Sequence, residues 1–149
     1  MISYRQATTF DLMVFASLDK ELFPYSMWSL GQYKQEFESE TRYFVVAVDS
    51  EQKIVGYAAV FAPGSGVEAD ILTIGTVPEY RRQGIAKHLM ELMTSWAIER
   101  DTNAIMLEVK IDNLEAIGLY EALGYIKLNI RSNFYGQGLD AQVMRLELK

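Results

Sequence analysis

The chain has 149 residues, of which 50% are hydrophobic and 23% are charged, and a mass of 17.0 kDa. This size and balance are those of one folded domain, and they exclude a disordered chain, a fibrous chain and a pair of large domains. The 14 Lys and Arg residues against 20 Asp and Glu residues give a net charge of -6, which disfavours a general nucleic-acid or anionic-membrane surface and suits a cationic substrate.

Apolar periodicity and turn residues predict the elements of the N-terminal half. In chain order they are a strand at 2–7, helices at 10–22 and 30–38, and strands at 43–48, 54–61 and 67–76. Pro24 follows the first helix and Pro78 follows the last strand, and proline limits each element because it has no N–H to donate. A polar turn separates the strands at 43–48 and 54–61, so these two strands are expected to form a hairpin.

From Gly84 the apolar period changes to 3.6, which predicts a long helix with Ile85, Leu89, Leu92 and Trp96 on one stripe. The remaining predicted elements are a strand at 103–110, a helix at 113–123 capped by Asp112 or Asn113, and neighbouring strands at 125–131 and 141–148. The order β-α-α-β-β-β-α-β-α-β-β predicts a single α/β domain spanning 1–149, with a mixed sheet of about six to seven strands and about four helices.

Cysteine is absent from the chain, and His88 is its one histidine. The chain therefore has no disulfide framework, no thiolate nucleophile and no paired cysteine or histidine metal ligands, so no metal is expected. The first ten residues lack the apolar run of a secretory signal, and the longest nearly apolar stretch, 54–62, is far shorter than the roughly 20 residues that cross a bilayer. We expect a cytoplasmic protein with no membrane and no nucleic-acid partner, and the oligomeric state stays open.

The stretch 71–88 joins a predicted strand to the long helix and concentrates positive charge in an acidic chain. Gly84 lets the backbone approach a ligand at the helix start, where the N–H groups of about residues 82–87 have no acceptor within the helix. Arg81, Arg82 and Lys87 lie around this point, so the segment favours an anionic ligand. The alternative reading of these residues alone is an ordinary turn whose cations face water.

The motif Arg81-x-x-Gly84-x-Ala86 resembles the acetyl-CoA signature, Gln/Arg-x-x-Gly-x-Gly/Ala, of the Gcn5-related N-acetyltransferases, or GNAT family. The segments 107–113 and 116–125 are similar to the rest of that signature. The resemblance extends from about residue 43 to the C-terminus, and the family's fold has the element order predicted above.

A narrower resemblance is to the bacterial ribosomal-protein-alanine N-acetyltransferases of the RimI type. It rests on the sequence Arg-Ser-Asn-Phe-Tyr at 131–135, followed by Asp-Ala-Gln-Val-Met at 140–144. Gly136 departs from this group, in which a proline often follows the aromatic pair.

The resemblance to the GNAT family implies an enzyme that transfers acetyl directly from acetyl-CoA to an amine. It implies that Ile74, Gly75 and Thr76 bind the cofactor with backbone groups, including an N–H to the acetyl carbonyl, and that Asn113 binds it as well as capping a helix. The helix-start residues with an implied cofactor-binding role are Arg81, Arg82, Gln83, Gly84, Ile85, Ala86 and Lys87.

The resemblance also implies two catalytic residues, Glu108 as general base and Tyr120 as general acid. A phenol with a pKa near 10 is protonated at neutral pH and can donate to a thiolate. Glu68 and Asp70 are the alternative bases, and strand parity places them on one face, where they could instead hold a cationic substrate. Each of the two residues also has a non-catalytic interpretation. Glu108 could be a charged residue of an edge strand that faces water, and Tyr120 could be an aromatic residue of the core.

The expected acceptor is a peptide or protein N-terminus. An α-amine, with a pKa near 8, loses its proton to a carboxylate base more readily than a lysine, with a pKa of about 10.4. The RimI-type resemblance implies the N-terminal alanine of a small-subunit ribosomal protein, with Tyr135 as a further substrate-binding candidate. Three alternatives remain open: acetylation of a small amine such as a polyamine or aminoglycoside, acetylation of a protein lysine, and a non-catalytic module that senses acyl-CoA.

Overall fold

The computed structural model describes residues 1–25 and 28–149, and its strands form one seven-stranded sheet. The strands are β1 (Ser3–Gln6), β2 (Arg42–Val48), β3 (Ile54–Phe61), β4 (Ala69–Thr76), β5 (Ala104–Lys110), β6 (Ile126–Arg131) and β7 (Ala141–Glu147). The helices are α1 (Leu12–Leu22), α2 (Leu30–Phe37), α3 (Ile85–Glu99) and α4 (Leu114–Ala122). The predicted fold class and element order are confirmed.

The sheet has the strand order β1-β2-β3-β4-β5-β7-β6. Every neighbouring pair is antiparallel except β4 and β5, which run parallel. The predicted hairpin of β2 and β3 and the predicted pairing of β6 with β7 are both present. None of the helices in residues 1–25 and 28–149 has the length and apolar character that a bilayer span requires.

Two predicted boundaries differ from the observed ones by two residues, for local reasons, and several others differ by one residue. The first helix begins at Leu12 instead of residue 10, because Thr9–Asp11 form a 3₁₀ turn before it. The third sheet strand begins at Ala69 instead of residue 67, because the Val67 N–H donates to the Gly64 carbonyl in a turn at 3.2 Å.

Side-chain caps define the starts of α2 and α4. The Ser29 hydroxyl accepts a hydrogen bond from the Gln32 N–H, and the Gln32 side chain accepts one from the Ser29 N–H, which is a capping box. Asn113, and not Asp112, caps α4, since its Oδ1 accepts from the Ala116 N–H at 3.2 Å. Both caps satisfy N–H groups that have no acceptor within the helix.

The core lies on both faces of the sheet. One cluster of buried side chains packs β2 and β3 against α1 and α2 and contains Phe15, Tyr33 and Tyr57. The other packs the opposite face against α3 and α4 and contains Leu89, Met93 and Tyr120 among others. β4 and β5 pair at Ala69–Ile105 and Asp70–Met106, and the strands separate at a junction beyond these two pairs.

β4 carries a bulge next to this junction. Thr73 pairs with Ala59 and Ile71 pairs with Val60, so Leu72 is an extra residue without a partner on β3. A bulge of this kind bends its strand and re-aims the side chains on either side of it.

Candidate active site

A cavity of about 580 Å³ lies where β4 and β5 separate. The two strands pair only at Ala69–Ile105 and Asp70–Met106, so no ladder joins the parts that follow. The start of α4, the loop between α1 and α2 and the segment between β6 and β7 complete the walls. Six residues that the sequence predicted for the site line this cavity: Asp70, Ile74, Glu108, Asn113, Tyr120 and Tyr135.

Asp70 and Glu108 bring two half-buried carboxylates to the cavity. Asp70 is the ladder partner of Met106, and Glu108 lies two residues further along β5, so both side chains are on one face of the sheet. Burial raises the pKa of Asp70, and the charge of Glu68 raises it further. Burial and then the charge of Asp70 raise the pKa of Glu108, while Arg131 acts in the opposite direction. A carboxylate with a raised pKa is a better proton acceptor than an exposed one.

The structure places Glu68 outside this cavity, unlike Asp70. Glu68 precedes Ala69, the first residue of β4, and its carboxylate accepts a hydrogen bond from Arg145 Nη1 at 2.7 Å. Because Arg145 neutralises it, Glu68 is poorly suited to act as a base or to bind a cationic substrate there. Of the two carboxylates considered as alternative bases, only Asp70 lines the cavity.

Tyr120 is a buried residue of α4 whose side chain lines the cavity. Burial, with a contribution from Tyr25, raises the pKa of Tyr120, so its phenol is protonated at neutral pH. The ring of Tyr125 lies 5.9 Å from the Tyr120 ring, but Tyr125 is not part of the cavity wall. Its buried hydroxyl has no hydrogen-bond partner in the described parts of the chain. Only the first of these two phenols can donate a proton into the cavity.

The start of α3 offers backbone N–H groups to an anionic ligand. The first bond of the helix runs from the His88 N–H to the Gly84 carbonyl at 3.0 Å, so the N–H groups of residues 85–87 have no acceptor within the helix. Gly84 has a φ of 80°, and a Cβ at this position would meet no atom within 4 Å. The backbone at Gly84 is therefore open for a ligand to approach closely.

Positive side chains surround this helix start. Arg81, Arg82 and Lys87 are all exposed, and Arg81 Nε donates to the Thr76 carbonyl at 3.3 Å, which joins the loop to the end of β4. Gln83 is exposed as well, whereas the Ile85 side chain belongs to the core, so Ile85 offers a ligand only its backbone. The charge and the N–H groups together fit a ligand with phosphate groups.

The sequence of residues 11–125 matches the model of the acetyltransferase (GNAT) family. The chain belongs to this family. It is 31% identical to the N-alpha-acetyltransferase RimI of Mycobacterium tuberculosis over 134 residues, which are 87% of this chain and 82% of that protein. The fold is similar to the ribosomal-protein-S18-alanine N-acetyltransferase of Escherichia coli, with a TM-score of 0.84, 26% identity and coverage of 100% and 95% of the two chains.

Other relatives match over shorter lengths or in fold alone. The chain spans 33% of an uncharacterized protein of Mycobacterium leprae and 45% of the N-alpha-acetyltransferase of Saccharolobus solfataricus. The structure of Arabidopsis thaliana NAA60 in complex with acetyl-CoA superposes with a TM-score of 0.89 over 99% of both chains, at 20% identity.

The GNAT chain also carries five aromatic residues around the cavity, which we call the aromatic rim: Phe23, Tyr25, Trp28, Phe134 and Tyr135. The rings of Tyr25 and Tyr135 lie 4.9 Å apart, so the loop after α1 contacts the segment after β6. Sequence reasoning selected Tyr135 but missed Phe23, Tyr25 and Trp28. Three aromatic residues within a short predicted loop were the signal that could have identified them.

Proposed function

We propose that this GNAT chain is a cytoplasmic, single-domain, acetyl-CoA-dependent N-acetyltransferase that acetylates the N-terminal α-amine, preferably of alanine, of a small-subunit ribosomal protein. The observation that carries the proposal is that Glu108 and Tyr120, a base and an acid from different elements, line one cavity. The family membership and the names of the relatives support the same activity.

The start of α3 is the part of the chain that fits the diphosphate of acetyl-CoA. A diphosphate requires space, hydrogen-bond donors and positive charge. The helix start provides open space at Gly84, N–H groups without helical acceptors and three exposed cations. Ile74, Gly75 and Thr76 on β4 would bind the remainder with backbone groups, together with Asn113 on the cavity wall. Bound acetyl-CoA supplies an acetyl group activated as a thioester.

The chain's own residues handle two protons in this proposal. Glu108 accepts the proton that the attacking amine must lose, and its raised pKa favours that transfer. Tyr120 donates a proton to the departing sulfur, since its raised pKa keeps the phenol protonated at neutral pH and the residue lines the cavity. Asp70 contributes a second negative charge, which attracts an ammonium group before it is deprotonated.

An N-terminal acceptor fits these groups better than a lysine. A carboxylate base removes a proton more easily from an α-amine, with a pKa near 8, than from a lysine, with a pKa of about 10.4. The aromatic rim supplies apolar surface beside the carboxylates, and a short side chain such as alanine would rest against it. The acidic chain also suits a basic ribosomal protein as partner.

Acetyl transfer to a matched set of amines tests the proposal. The set contains a peptide with a free N-terminal alanine and no lysine, the same peptide with an acetylated N-terminus and one internal lysine, spermidine and an aminoglycoside. We expect thiol release from acetyl-CoA, and a mass increase of one acetyl group, with the first peptide alone. Preferred acetylation of the lysine peptide or of a small amine would replace the N-terminal assignment. Binding of acetyl-CoA without transfer to any amine would identify a sensor in place of an enzyme.

A further inference from the structure

Asp19 is a buried carboxylate beside the active site to which the proposed reaction assigns no role. It lies on α1 and is 2% exposed, yet it is also part of the cavity wall. Three hydroxyl groups from three other elements donate to it. Tyr33 on α2 donates to Oδ2 at 2.6 Å, while Tyr57 on β3 and Thr73 on β4 donate to Oδ1 at 2.9 Å and 2.6 Å.

Two of these donors hold the part of β4 that follows its bulge. Thr73 is the residue directly after the bulge residue Leu72, where pairing with β3 resumes. The Tyr57 ring packs on Gly75, since a Cβ on Gly75 would lie 2.7 Å from atoms of that ring. A ladder interrupted by a bulge determines the local backbone less strictly than a regular one, so side-chain bonds to Asp19 supply the missing constraint.

The third donor connects Asp19 to the aromatic rim. The Tyr33 ring stacks on Trp28 with centroids 4.8 Å apart and an interplanar angle of 26°. Trp28 is a member of the aromatic rim on the acceptor side of the cavity. Asp19 therefore contacts, through one carboxylate, both the strand next to the proposed cofactor site and the helix that supports the acceptor side.

Two of the three donors to Asp19 are phenols whose pKa is raised. Burial and then the charge of Asp19 raise the pKa of Tyr33 and the pKa of Tyr57. Both phenols therefore keep their protons at neutral pH and can donate to Asp19.

We propose that Asp19 is a positioning residue that holds β4 for acetyl-CoA through Thr73 and holds the aromatic rim for the acceptor through Tyr33. Both halves of this proposal rest on the function proposed above, the acceptor half on the peptide acceptor and the cofactor half on the binding of acetyl-CoA along β4. One carboxylate thus keeps donor and acceptor sites at a constant separation, which transfer between two bound groups requires.

The test separates the cofactor half of the proposal from the acceptor half with two substitutions, each of which removes one hydroxyl group. In Thr73→Val we expect the Kd for acetyl-CoA, measured by calorimetry without acceptor, to rise about fivefold to tenfold, with the KM for the alanine peptide within about twofold. In Tyr33→Phe we expect the opposite pattern, a raised peptide KM and an unchanged Kd. Thr73→Ser, which retains the hydroxyl, should restore the affinity for acetyl-CoA.

Thr94→Val is the matched control, because the Thr94 hydroxyl donates to the Met90 carbonyl within α3, at 2.8 Å, and to no other group in residues 1–25 and 28–149. It should change neither constant. Equal changes of Kd and KM in both variants would indicate general loss of structure and overturn the proposal, as would unchanged constants in both. If the wild-type chain acetylates no peptide, the acceptor assignment fails, while the calorimetric comparison of Thr73→Val with Thr73→Ser still decides the cofactor half.

Discussion

The carboxylates of Asp70 and Glu108 face one cavity from neighbouring parallel strands, and the charge of Asp70 raises the pKa of Glu108. Two like charges at one site oppose each other's ionisation, so a proton is retained to a higher pH than on an isolated glutamate. Substitution of either residue's charged neighbours should therefore shift the pH dependence of the proposed reaction in a defined direction.

Asp70→Asn should move the acidic limb of the rate profile to lower pH. Without the Asp70 charge, the pKa of Glu108 falls, and the base is ionised at a pH at which the wild-type residue is still protonated. The measurement is kcat/KM for the alanine peptide against pH.

Arg131→Gln should move the same acidic limb to higher pH, because Arg131 lowers the pKa of Glu108. Glu91→Gln, on the exposed side of α3, should leave the limb in place.

Tyr120→Phe should lower kcat by about a hundredfold or more, which is the usual contribution of a general acid. Acetyl-CoA affinity should be nearly unchanged, since only a hydroxyl is removed. Tyr125→Phe is the control, because it removes a phenol hydroxyl close by that does not reach the cavity. This second variant should keep kcat within about twofold and be as stable as the wild type or more so, since its hydroxyl is buried without a partner. A fully active Tyr120→Phe enzyme would transfer the acid role to another group.

Gly84→Ala should weaken acetyl-CoA binding by about tenfold and lower the free energy of unfolding by about 1 to 2 kcal/mol. The cause is the φ of 80°, which an alanine adopts only with strain. Gly118→Ala provides the comparison, since Gly118 is an exposed residue of α4 whose added Cβ would meet no atom within 4 Å. That variant should gain about 0.5 to 1 kcal/mol of stability and bind acetyl-CoA normally. Calorimetry and thermal unfolding measure both quantities, and equal binding by the two variants would argue against the proposed cofactor site.

Asp11→Asn should destabilise the protein at neutral pH by about 1 to 2 kcal/mol, and the difference should vanish in acid. Arg5 donates to both Asp11 oxygens, at 2.7 Å and 3.0 Å, and these bonds, together with those from the Thr8 N–H and hydroxyl, lower the pKa of Asp11 from 3.8 to about 2. The stabilisation is therefore present above pH 3.8 and disappears as the pH falls through about 2. Urea unfolding at several pH values measures it. Asp112→Asn, which removes an exposed ion pair with Lys110, should have little effect at any pH.

The sequence by itself determined the features that depend on near neighbours along the chain. Periodicity, turn residues and capping act over a few positions. They gave the order of the elements, the hairpin of β2 and β3, a cap at Asp112 or Asn113 and the open helix start at Gly84. Glu108 and Tyr120 were implied instead by the resemblance to the GNAT family, and both line the same cavity.

Only the tertiary structure decided between residues that look alike in sequence. Glu68 and Asp70 have the same parity, but Arg145, 77 positions from Glu68, pairs with the first and leaves the second in the cavity. Asp19 meets donors that are 14, 38 and 54 positions away, and no spacing rule brings those three together. Contacts of this kind depend on how the strands and helices pack, which local periodicity does not specify.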